Sequence, residues 1–173
     1  QVVKKIRQFP NHFGSGCLIE EVKNEYLEDL TIKFVKKYKL YGFSNTEFKY
    51  DKKNNKYKFI ETNLRTWMQV DLTMKNENFV KIYYDFLTNK QINTSYKKSF
   101  YGSKWIDPLN DFLSAYELHK RGKLNFKDWI MSYKNIKSFS TINYRDPFIF
   151  LNEIEFGKKI FRFLINKSKK NYV

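Results

Sequence analysis

The sequence predicts an α+β fold, with an antiparallel sheet, helices packed on it and a mostly helical C-terminal extension. Three observations predict it. Residues 45 to 67, NTEFKYDKKNNKYKFIETNLRTW, read as two strands about a Lys/Asn turn. Residues 25 to 40 set Leu27, Leu30, Phe34 and Tyr38 at helical spacing. Asp107-Pro108 is a helix cap followed by proline at the first helical position.

The elements follow in order. VVKKIRQ (2 to 8) and CLIEEV (17 to 22) are short strands, with NHFGSG as the loop between them. Asn24 caps the helix from 25 to 40, with Glu25, Glu28 and Asp29 at its positive end and Lys36, Lys37 and Lys39 at its negative end. Gly42 is expected to end it. The hairpin strands are 43 to 51 and 57 to 64, with Asn54 or Asn55 left-handed in the turn. Residues 67 to 88 read as helical in two pieces. From about Asn93 the character changes, and the domains are drawn as 1–92 and 93–173. SYKKSFYGSKW suggests strands. Leu109, Phe112, Leu113 and Tyr116 carry a helix toward Gly122, a short helix covers 126 to 133, and Asp146-Pro147 opens a last one.

The chain has 173 residues, enough for one solid core. With 42% hydrophobic and 19% aromatic residues it is no disordered composition. A net charge of +15 suits an anionic partner, yet only five of the 33 basic residues are Arg, and nucleic-acid readers lean on Arg. Cys17 alone excludes an internal disulfide and suits a reducing, cytoplasmic setting; it reads as a small buried residue rather than a nucleophile. No stretch is long and apolar enough for a membrane span. Trp105, Trp129 and Phe148 read as packing residues.

The chemistry concentrates in the hairpin. A three-residue turn at 53 to 55 pairs 51 with 57, 49 with 59 and 47 with 61, so Glu47 faces Glu61. Tyr57, Phe59, Glu61, Asn63 and Arg65 share one face of the return strand. Two facing carboxylates repel unless one holds a proton or a cation sits between them. Asn63 adds a neutral oxygen, a set that suits magnesium, and Arg65 offers a planar fork to phosphate or carboxylate. A solvated face with scattered charges is the plainer alternative.

GFSNTEFKYDKKNNKYKFIETNLRTW resembles the nucleotide-binding part of the ATP-grasp superfamily, most of all its carbamoyl-phosphate-synthase-like branch. There an acidic strand precedes a turn and a Glu-x-Asn-x-Arg strand; Glu47 matches the first acid, and Glu61, Asn63 and Arg65 the second motif. The resemblance covers residues 1 to about 90. It implies an ATP- and Mg2+-dependent ligase joining a small-molecule carboxylate to an amine or other nucleophile through an acyl-phosphate. It implies Glu47, Glu61 and Asn63 as metal ligands and Arg65 as the catalytic cation. Lys49 falls at a nucleotide-binding position where many members are apolar. Arg7 lies on a strand like a substrate-facing one, though a structural ion pair accounts for it equally. Gln69 and Asp71 touch substrate or cap a helix. The ATP-gripping lysines and mobile phosphate-covering loop have no match here. They are expected in N-terminal subdomains of the same protein, and the fragment alone is expected to turn over little. Two rivals stand beside this reading: a basic single-stranded nucleic-acid-binding module, and a non-catalytic ATP-grasp-like interaction domain.

Overall fold

A computed structural model describes residues 1–74, 77–92, 100–141 and 157–158. The fold is mixed α+β. Strands β1 (Val2–Phe9), β2 (Ser15–Val22), β5 (Lys104–Ile106) and β6 (Ile136–Phe139) form one sheet in the order β1-β2-β5-β6. The first two pairings are antiparallel and β5–β6 is parallel, a departure from the all-antiparallel expectation. Strands β3 (Asn45–Asp51) and β4 (Lys56–Asn63) make a separate two-stranded sheet. The helices are α1 (Glu25–Lys37), α2 (Val70–Met74), α3 (Phe79–Leu87), α4 (Pro108–Lys120) and α5 (Phe126–Met131). None of the described helices is long and apolar enough to cross a membrane.

Local chemistry accounts for the helix starts. Asn24 accepts from the Leu27 N–H at 3.0 Å, Asn78 from that of Lys81 at 3.0 Å, and Asn125 from that of Asp128 at 2.8 Å. Asp107 accepts from the Asn110 N–H at 3.2 Å, and Pro108 takes the first helical position of α4. Helix α1 stops earlier than expected. Lys39 takes the left-handed conformation at φ 51°, and Gly42, at φ 86°, serves the approach to β3 instead.

Strand β2 lies between β1 and β5, and Gly16, Cys17, Leu18 and Ile19 are all buried. Ile19, Leu72 and Trp105 form the central apolar cluster, with Ile19 and Trp105 directly paired across β2–β5. The sheet therefore crosses the boundary drawn at residue 92: β5 and β6, from beyond it, are built onto β2. Trp129 is buried, as expected for a packing residue. Phe148 lies outside the described residues, as does all of the helix expected after Asp146-Pro147 except residues 157–158, which are helical, and most of those expected to form strands before Gly102.

A buried polar cluster locks β1 to α4. Arg7 donates from Nε to Asp111 Oδ1 at 2.6 Å and from a terminal nitrogen to Oδ2 at 2.9 Å. The two side chains are only 4% and 0% exposed. The guanidinium also lies 5.5 Å from the centre of the Tyr133 ring. Burial, then the Asp111 charge, pushes the Cys17 thiol up to about 12, and burial pushes the Tyr133 phenol up to about 12.

Both groups are favoured neutral in the fold. A group whose folded value lies above its unfolded one contributes stability that is whole below the unfolded value and is lost as pH climbs through the folded one. With ordinary values of 9.0 for the thiol and 10.0 for the phenol, stability is expected to fall between about pH 9 and pH 12. Denaturant melts across that range check this. In the same samples a thiol reagent at pH 8 should find no reactive cysteine in the folded chain and one after unfolding.

Candidate functional site

The hairpin reaches the expected pairing of Glu47 with Glu61 by an unexpected route. Its loop has four residues, 52 to 55, rather than three. Asp51 therefore pairs with Lys56, Tyr50 with Tyr57, Lys49 with Lys58 and Phe48 with Phe59, each one residue out of the expected register. A bulge then gives β4 an extra residue, Ile60, and Glu47 pairs with Glu61 after all. The loop length has a local cause. Asp51 accepts from the Lys53 N–H at 3.0 Å and from Asn54 Nδ2 at 2.7 Å, and Asn55 supplies the left-handed residue at φ 53°. Hydrogen bonds from Lys58, then Asn54 and the Lys53 N–H, hold the Asp51 carboxyl down at about 2.

The bulge also sorts the faces. Tyr57 stacks on Tyr26 of α1 at 6.0 Å, and Phe59 meets Phe34 at 5.2 Å and Phe48 at 6.1 Å. These rings cover the side toward α1. Glu47, next to Phe48, takes the opposite side, and Glu61 goes with its partner. The expectation that Tyr57 and Phe59 share a face with Glu61, Asn63 and Arg65 is thus corrected: the extra residue at the bulge turns the motif over.

Along that opposite face, Glu61 Oε1 accepts from Asn63 Nδ2 at 2.7 Å, and Asn63 Oδ1 accepts from Arg65 at 3.5 Å, the far limit of a hydrogen bond. Arg65 also donates to the Thr66 carbonyl at 3.2 Å. Glu47 Oε2 takes the ammonium of Lys5 on β1 at 2.8 Å. Lys49 lies two residues beyond Glu47. With Tyr50, Asp51, Lys52, Lys53, Lys58 and Ile60 it lines an open depression of about 400 Å³. Among the described residues Lys49, Lys52 and Lys53 form no ion pair, whereas Lys58 bridges Asp51 at 2.7 Å.

Of the two readings of Arg7, the geometry displays the ion pair with Asp111. Gln69 donates to the Gly16 carbonyl at 2.8 Å and so ties the segment after the motif to β2. Asp71 sits in the first turn of α2. Sequence reasoning missed Lys5, because nothing local distinguishes it from Lys4; its contact with Glu47 spans 42 residues.

By donor chemistry alone these residues would suit magnesium: Glu47 and Glu61 are paired in register across the hairpin and Asn63 adds an amide oxygen, while Lys5 holds one Glu47 oxygen and Asn63 Oδ1 faces Arg65. Among the described residues no three His, Cys, Asp or Glu side chains converge. A divalent ion at the hairpin would thus take two carboxylates at most, leaving positions for water and phosphate oxygens. Comparison of the chain with family models, with curated proteins and with solved structures finds no match.

Proposed function

We propose that the chain is the phosphate- and metal-binding part of an ATP-grasp ligase, which joins a small-molecule carboxylate to an amine or other nucleophile through an acyl-phosphate. The observation that carries this is the Glu47–Glu61 pair, with Asn63 and Arg65 following along the same strand. Two like charges are paired across the hairpin and, among the described residues, only Glu47 has a counter-ion, Lys5; the remaining charge on Glu61 costs stability until a further cation is bound there. Glu47, Glu61 and Asn63 would hold magnesium, which when bound neutralises charge on the phosphate oxygens.

The chain's own residues do the rest. Lys49, Lys52, Lys53 and Lys58 line a concave surface beside Glu47 and attract the polyphosphate. The Arg65 fork, free of any carboxylate among the described residues, stabilises the acyl-phosphate or the carboxylate that precedes it. A magnesium titration of the full-length polypeptide, with a non-hydrolysable ATP analogue present, tests the reading. Glu61→Ala and Asn63→Ala are expected to weaken binding at least about tenfold, the loss of one charge-assisted ligand each. Unchanged binding in both variants overturns it.

One observation favours a second reading. Tyr50 is exposed at the rim of the lysine-lined depression, as a stacking platform for single-stranded nucleic acid would be. That module would bind oligonucleotides with steep salt dependence and would not be weakened by Glu61→Ala, which removes a charge that repels phosphate. It leaves the facing carboxylates without a purpose.

A further inference from the structure

We propose that Lys5 is a displaceable counter-ion: its ammonium holds Glu47 while the hairpin is empty of metal, and moves to a phosphate oxygen when a divalent ion and a polyphosphate arrive. This rests on the reading of the hairpin as a metal–phosphate site. The pairing of Glu47 with Glu61 creates a demand for positive charge, and Lys5 Nζ meets it at 2.8 Å from Glu47 Oε2. Glu61 takes a neutral amide hydrogen from Asn63 instead, so the demand is only half met. An incoming divalent ion and the Lys5 ammonium therefore compete for the same carboxylate.

The path of the Lys5 side chain is built rather than incidental. Lys5 comes from the four-stranded sheet and Glu47 from the hairpin. The stem lies against β2 beside Gly16, where an added Cβ would stand 3.2 Å from Lys5 Cγ and 2.9 Å from Ile19 Cγ2. A side chain at residue 16 would crowd the stem against Ile19. Gln69, just after the Glu-x-Asn-x-Arg run, holds the same glycine through its carbonyl. The head of the lysine is partly open to solvent. Its side chain is 41% exposed and that of Glu47 33%, so the pair is partly solvated and weak enough to exchange.

A lysine also suits the task better than an arginine would. Its compact ammonium turns on a flexible four-carbon stem and can change partners without losing a bidentate fork. A polyphosphate drawn to the depression that Lys49 and Lys58 line, next along the hairpin from Glu47, would supply the acceptor it moves to.

The competition has a signature that a structural ion pair lacks: removing Lys5 should change metal binding in opposite directions with and without phosphate. The test uses Mn2+, followed by its electron paramagnetic resonance signal, on the 173-residue chain and on its Lys5→Met and Glu61→Ala variants. With Mn2+ alone, Lys5→Met is expected to bind about two- to fivefold more tightly than the parent, because the competing charge is gone. With Mn2+ and inorganic tripolyphosphate together, the same variant is expected to bind about tenfold more weakly, having lost a charged donor to phosphate. Matching thermal melts would show that the fold is intact. If Mn2+ binds and Glu61→Ala abolishes it, while Lys5→Met fails to tighten bare-metal binding or leaves tripolyphosphate binding unchanged, the role of Lys5 is overturned and the hairpin site stands. If neither the parent nor Lys5→Met binds Mn2+, with or without tripolyphosphate, the hairpin reading falls and takes this proposal with it.

Discussion

Asp111→Ala is expected to destabilise the chain by about 3–5 kcal/mol, as is Arg7→Ala, because each leaves the other's charge buried without a partner. Asp111 is fully buried and accepts both bonds of a bidentate pair from Arg7. Desolvating the two ions is costly, and only the short paired contact offsets that cost. Removing one partner keeps the penalty and discards the compensation. A domain of this size has only about 5–15 kcal/mol in hand, so either variant sits near the edge of unfolding. The double variant Arg7→Met/Asp111→Leu removes both charges at similar volume and is expected to recover most of the loss. Urea unfolding of the three variants, compared at constant slope, measures this. A double variant as unstable as the single ones would assign the loss to packing around Cys17 and Tyr133 instead of to charge.

Trp105→Ala is expected to cost a similar about 3–5 kcal/mol by a different mechanism. Trp105 is completely buried, pairs with Ile19 on β2 and Ser138 on β6, and touches Leu72. Alanine there opens a cavity at the centre of the sheet that the flanking strands can only partly fill. Trp105→Phe should cost far less. The indole Nε1 is buried without a hydrogen-bond partner among the described residues. An orphaned donor carries a desolvation penalty of about 1–3 kcal/mol, which phenylalanine removes while keeping much of the ring. The comparison of the two variants by thermal and urea unfolding separates volume from polarity. Equal losses in both would mean that the indole hydrogen is satisfied in solution.

How much of this was legible in the sequence depends on how local the cause is. The caps at Asn24 and Asp107 were readable because the capping side chain bonds a group three residues away. The hairpin and the split of 67 to 88 into two helices were readable for the same reason. The register was half readable. Alternation alone cannot tell a four-residue loop from a three-residue one, and Ile60 carries no mark of being the bulged residue. Two errors of one residue cancelled at Glu47 and Glu61, so the facing carboxylates were found while Tyr57 and Phe59 were assigned to the wrong side.

Contacts between distant segments were not legible. Asp111 was read only as part of a helix, although it carries the partner charge of Arg7, 104 residues away. Strand β6 went unseen because Ile136–Phe139 is short and acquires its identity from β5 beside it. The position of Lys5 next to Glu47 likewise depends on how the hairpin lies against the sheet.

The β2–β5 pairing has a consequence for the chain as it emerges from a ribosome. Leu18 and Ile19 wait for Ile106 and Trp105, made nearly ninety residues later. A nascent chain that ends before Lys104 therefore carries Cys17, Leu18 and Ile19 on a strand with one edge unmatched, a surface other chains can join. Chaperone protection during synthesis is most needed over that interval, and it ends when the short segment Lys104–Ile106 arrives and closes the edge.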